Sequence, residues 1–189
     1  MKKSILPILA LIITFSSCQK NEINVQEEHV AGVPTGYTVC GTATETPLMA
    51  GQSTNVGSVT VWNDLNNVYV RYETTGNYLL KKTQLYVGSC STIPVNNPGN
   101  PMIGHFPYKN DHGTGVASFL VVIPRSSLPE GCLCVAAHAE VVAYNTSGGI
   151  SFSQTGWGQG TQIKDGGSWA MKFDFCIQSC QIIGGGGPR

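Results

Sequence analysis

Charge is scarce in this chain. Asp, Glu, Lys and Arg make up 12% of it, about half the share usual in soluble domains. Eleven basic side chains offset eleven acidic ones, and no basic stripe exists, so no nucleic-acid partner is expected. No apolar run reaches the roughly 20 residues that cross a bilayer as a helix. No amphipathic helix of useful length and no internal repeat occurs, which argues against a helical bundle or a solenoid. The G-x-S-x-G elbow of α/β-hydrolases is missing. The acids of the central region, from Glu45 to Asp174, are few and scattered, so no pair stands out for glycoside cleavage. No cofactor is expected.

What is present begins with an export signature. Lys2 and Lys3 precede an apolar stretch from Ile5 to Phe15, broken only by Pro7 and Thr14 and followed by Ser16, Ser17 and Cys18. That is the layout of a secretory signal peptide over residues 1–17. FSSC resembles the bacterial lipobox, with Phe15 in place of the usual leucine-like residue. The resemblance implies lipid (palmitate-type acylation) on Cys18, which becomes the mature N-terminus. The following QKNE resembles export signals of Bacteroidetes surface lipoproteins. The expected location is therefore the outer membrane or cell surface, with the membrane as a partner through the lipid. Without the signal, nine basic side chains face eleven acidic ones, and roughly 170 residues remain, enough for one domain with a real core.

Six further cysteines follow: Cys40, Cys90, Cys132, Cys134, Cys176 and Cys180. In an oxidising exterior they imply three disulfides, whose pairing sequence alone does not fix. Cys90 is expected to bridge to the Cys132/Cys134 strand, and Cys40 to tie the start of the domain to its end near Cys176 or Cys180. A metal site is the rival, but Cys132-Leu133-Cys134 lacks the spacing of common zinc pairs.

Residues 18–36 are polar, show no period and are expected to be a tether. Beyond them the period is two. Val59 and Val61 alternate with Thr60 and Trp62; after Asn63-Asp64-Leu65-Asn66, Val68, Val70 and Tyr72 alternate with Tyr69, Arg71 and Glu73. Two alternating runs around an Asn/Asp-rich turn predict a hairpin. Further strands are expected over 79–87, 117–123, 132–143 and 169–175. The Ala-rich 132–143 run is assigned to a strand by its valines and flanking turns. Residues 91–116 hold Pro94, Pro98, Pro101 and Pro107 among several glycines and predict a long loop of functional interest. Residues 145–167 are Gly-, Ser- and Thr-rich. The whole predicts an all-β, antiparallel, disulfide-bonded β-sandwich (jelly-roll or immunoglobulin-like) over 37–182, with a disordered tail at 183–189.

The motifs GQSTNVGSVTVWND, NVYVRYET, TQLYVG, IGHFPYKNDH, LCVAAHAEVV, TGWGQG and SWAMKF follow one another within the segment from Gly51 to Phe175. In that order they resemble an uncharacterised β-sandwich domain of secreted and surface bacterial proteins. The resemblance implies the fold and no activity. The VTVWND–NNVYVRY hairpin also looks like those of carbohydrate-binding modules and other ligand-binding sandwiches.

Two sets of side chains are candidates for function. Trp157, Tyr78, Phe106 and Tyr108 offer aromatic rings for a glycan or a surface protein, unless Trp157 and Phe106 instead plug the domain's ends. His105, His112 and His138, with Asp111, could hold a metal and support a hydrolase. The expected role is a binding or adhesion module. A metal-assisted hydrolase and a subunit of a surface fibre are the alternatives.

Overall fold

A computed structural model describes residues 31–180. Among them the fold is all-β and antiparallel. Its strands are β1 (Thr44–Ala50), β2 (Thr54–Asn63), β3 (Asn67–Thr74), β4 (Tyr78–Gly88), β5 (Tyr108–Val116), β6 (Ser118–Pro124), β7 (Cys132–Tyr144), β8 (Ile150–Gly158), β9 (Thr161–Gln162) and β10 (Met171–Cys176). Eight of them form one hydrogen-bonded path, β5-β4-β7-β8-β1-β2-β3-β6, and β10 pairs separately with β7 and β9. The path curls until it is nearly closed and barrel-like.

The expected hairpin is β2–β3, turned at Asp64, whose carboxylate accepts hydrogen bonds from the Asn66 and Asn67 amides at 2.7 Å. The Ala-rich run is indeed a strand, β7. It reads as nearly continuous apolar sequence because both of its faces are covered. Leu133, Val135, Ala137, Ala139 and Val141 face the inner core with Val59, Val61, Val70, Leu85 and Phe175. Cys134 and Ala136 face a second, outer cluster with Tyr86, Ile93, Phe106, Trp157 and Ala170.

One expectation needs correction, and two strands were not read from the sequence. Residues 108–116 lie in β5, not in the predicted loop. Residues 150–158 of the Gly/Ser/Thr-rich stretch form β8, and β1 was not foreseen. β5 sits at the end of the path and bulges where Gly113 (φ 60°) and Gly115 (φ 115°) take left-handed conformations, so its apolar alternation is broken. β8 carries serine and threonine over its first half, which lies exposed.

A third cluster covers the outside of β2 and β3. Val33, Trp62 and Tyr69 are buried together, with Leu120 of β6 at their margin. Trp62 stacks on Tyr69 at 5.1 Å, and Tyr37 meets both edge-on. Residues 31–36, read as tether from sequence, thus include a core contact. Cys18 and residues 183–189 lie outside the described residues.

The disulfides are Cys40–Cys180, Cys90–Cys134 and Cys132–Cys176. Both expected linkages are present: Cys90 meets the β7 strand, and Cys40 reaches the domain's end. Cys132 and Cys176 stand directly opposite each other on β7 and β10. Cys90 pins the start of the proline-rich segment to the outer face of β7.

Candidate functional site

The three candidate histidines do not meet. His105 is exposed in a short 3-10 turn, Ile103–His105. His112 and His138 lie on opposite faces of the sheet, because each contacts a neighbouring residue of β4 and side chains of a strand alternate. His112 Nε2 is 3.1 Å from the hydroxyl of Thr83, which shares the inner face with Leu85. His138 Nδ1 is 2.6 Å from Oε1 of Gln84, which shares the outer face with Tyr86. A single ion cannot be held from both sides of a sheet, so the His105/His112/His138 metal set fails on geometry. Among the described residues, the one grouping of three metal-type ligand atoms is Cys90, Cys134 and Asp174. Its two sulfurs are joined in a disulfide and are not the thiolates that metals take.

His138 has a structural role. It is 2% exposed, and Trp157 lies edge-on at 4.8 Å. Burial pulls its pKa down to about 4, against about 6.5 in an unfolded chain. The folded state therefore resists a proton that the unfolded state accepts. Stability should be intact above pH ~6.5 and should fall as pH drops toward ~4, by roughly 3 kcal/mol. His138→Gln should remove that portion of the acid sensitivity. Unfolding midpoints at pH 7 and pH 4.5 check this, and an equal acid loss in both proteins would count against it.

The aromatic candidates separate in the same way. Trp157 is 5% exposed and Phe106 1%. They approach each other edge-on at 6.3 Å inside the outer cluster, so neither ring is available to a ligand. The proline-rich segment that carries Phe106 is a cover for the β4–β7–β8 face. Tyr78 is half-buried and packs on Phe152 at 5.1 Å. Tyr108 borders an opening.

That opening is the seam where the barrel fails to close. β5 and β6 follow one another in sequence, yet one pairs only with β4 and the other only with β3. Between them lies a cavity of about 350 Å³, lined by 107–110 on one side and 119–122 on the other. Tyr108 and Phe119 reach the inner core from the two walls. His112 contacts Phe119 at 4.5 Å at one end of the seam; burial holds its pKa below the usual imidazole value, with nearby Asp111 opposing. Burial also raises the Tyr108 phenol. Val122, 49% exposed, stands on the rim. No family model, no curated protein and no solved structure matches this chain.

Chemically the seam offers backbone. An edge strand directs unpaired N–H and C=O groups away from its one neighbour, and here two such edges confront each other. Of the seam, sequence reasoning picked out Tyr108 alone, because the site depends on which strands do not pair. The only local signals were the bulge glycines and the polar inward positions of residues 110 and 112.

Proposed function

We propose that this chain is an exported lipoprotein, held at the outer membrane or cell surface through lipid on Cys18, whose domain binds an extended peptide strand in the β5/β6 seam. The observation that carries the reading is the pair of facing, unpaired strand edges. An inserted strand would satisfy both edges and complete the closure, the mode of recognition called β-augmentation. Apolar side chains at alternate positions would sit against Tyr108, Phe119 and Val121, with polar ones facing out past Lys109 and Val122. We read the curled sheet as a sandwich, β5-β4-β7-β8 facing β1-β2-β3-β6 across the inner core. Three disulfides are compatible with an oxidising exterior. The burial of Trp157 and Phe106 removes the aromatic platform on which glycan binding would rest.

The test has two arms. Selection from a random heptapeptide library should enrich sequences with apolar residues at every second position. Val122→Lys, which places a charge at an exposed rim position, should weaken their binding about tenfold or more with the melting temperature unchanged. Unpatterned peptides, or binding indifferent to Val122→Lys, would rule the seam out. In exporting cells, Cys18→Ala should abolish labelling by a fatty-acid analogue; persistent labelling removes the anchor from the proposal.

A further inference from the structure

Resting on the seam reading above, we infer that the strand it takes is a free C-terminus, whose carboxylate sits at the closed end of the seam beside Asn110 and His112.

The seam is open at one end only. β5 stops at Val116 and β6 starts at Ser118, so Ala117 alone joins the two walls. That joint is clamped from β3, since the Thr74 amide donates to the Ala117 carbonyl at 2.8 Å. Beside it, the β5 bulge through Gly113 and Gly115 is held by the Tyr144 hydroxyl, which donates to the Thr114 carbonyl at 3.0 Å. The contact of His112 with Phe119 then shuts the gap, and the cavity begins beyond it, at residues 110 and 119. A strand lying between the walls cannot run on past Phe119 in the plane of the sheet. The walls also run opposite ways, β5 toward Ala117 and β6 away from it. An inserted strand is therefore parallel to one wall and antiparallel to the other. Its direction is set by which chain end the closed end binds.

The side chains there are donors. Asn110 stands opposite Thr83 of β4, faces inward with it and lines the cavity. Its amide is half-buried and makes no side-chain hydrogen bond among the described residues. Thr83 is 1% exposed, and its hydroxyl lies 3.1 Å from His112 Nε2. A buried hydroxyl needs an acceptor for its proton, and Nε2 is the one within reach. The imidazole's own proton is then on Nδ1. The Asn110 amide and the His112 Nδ1–H thus offer hydrogens that no acceptor takes. The carboxylate of Asp111 alternates to the outer face, where its Oδ1 accepts from the Gly113 amide at 2.9 Å. A C-terminal carboxylate supplies the missing acceptor, and hydrogen bonds to an ionised acceptor are about twice as strong as neutral ones. An α-ammonium would bring further donors to donors. A chain that turned outward at Phe119 would leave both inward groups unpaired.

The partner is thus a polypeptide whose last four residues lie between 107–110 and 119–122, about 13 Å of strand, parallel to β5 and antiparallel to β6. That combines strand addition with capture of a chain end, and it excludes internal segments.

Two random heptapeptide libraries presented to the exported chain test this, one displayed with its C-terminus free and the other with its N-terminus free. The first should yield the peptides with apolar residues at every second position. Amidating the C-terminus of an enriched peptide should weaken its binding by about tenfold or more. In Asn110→Ala, which removes an unpartnered side chain, the melting temperature should hold and amidation should cost about threefold or less. An undiminished effect of amidation in that variant removes Asn110 from the carboxylate site and overturns the geometry. Patterned peptides from both libraries, or equal binding of acid and amide, with Val122→Lys still weakening them, overturn the chain end and leave the seam standing. Enrichment from the N-terminus-free library alone reverses the strand and overturns the inference. Patterned peptides from neither library overturn the seam reading as well.

Discussion

Replacing Cys40 and Cys180 together by serine should cost about 4 kcal/mol of stability, the largest loss expected from removing this bridge between the two ends of the domain. The two residues are 140 apart in sequence. Taken alone, a loop of that size would stabilise by about 5 kcal/mol through the entropy it removes from the unfolded chain. The other bridges reduce that figure. Cys90–Cys134 and Cys132–Cys176 interlock through two cysteines of β7 that flank Leu133, so they already shorten the unfolded path from Cys40 to Cys180 to roughly 60 residues. The remaining constraint is still large because the entropy varies only with the logarithm of loop length.

A hydrogen-bonded clip beside the bridge limits the damage to the native state. Asn63 is fully buried, accepts from the Gln178 amide at 2.8 Å and donates to the Gln178 carbonyl at 3.0 Å. The Cys40 amide in turn donates to the Asn63 carbonyl at 2.8 Å. The double serine variant should therefore keep its fold and melt about 8–16 °C lower. Its denaturant slope should rise, because the less constrained unfolded chain exposes more surface. A loss below about 1 kcal/mol would mean that the unfolded chain without this bridge keeps its ends close through residual structure.

The sequence was most legible where one physical rule dominated. The β2–β3 hairpin was readable because its alternation is clean and Asp64 fixes the turn. The β7 strand was readable because valine outweighs alanine's helical preference once both faces are buried. The linkage of Cys90 to β7 followed from the same placement. β5 and β8 were hidden because their residues face either a polar seam or solvent, so period two carries little apolar signal. The histidines illustrate a further limit. His112 and His138 look alike in sequence, but contact adjacent residues of β4, and adjacency along a strand means opposite faces. The seam was least legible of all. An unpaired edge is a property of topology, and two strands joined across a single residue would ordinarily be read as a closed hairpin.

Trp157→Ala should act on stability, lowering it by about 3–5 kcal/mol, the range for removing a large aromatic side chain from a core. Its setting in a glycine-flanked motif suggested an exposed ring, but those glycines have a packing reason. Gly158 lies where an added Cβ would come within 2.9 Å of the Phe173 ring, and Gly156 allows β8 to lie close to Met49 of β1. The indole is thereby held over β7, against His138 on one side and Phe106 on the other. Its loss would open space between the proline-rich cover and the sheet, and would admit water to His138. The variant should then show a smaller separation between its stabilities at pH 7 and pH 4.5 than the parent, because a hydrated imidazole returns toward its ordinary pKa. Urea unfolding at both pH values reads both effects at once. A variant of unchanged stability would restore Trp157 as a surface ring, and the outer cluster would then have to be held by Phe106, Tyr86 and the Cys90–Cys134 bridge without it.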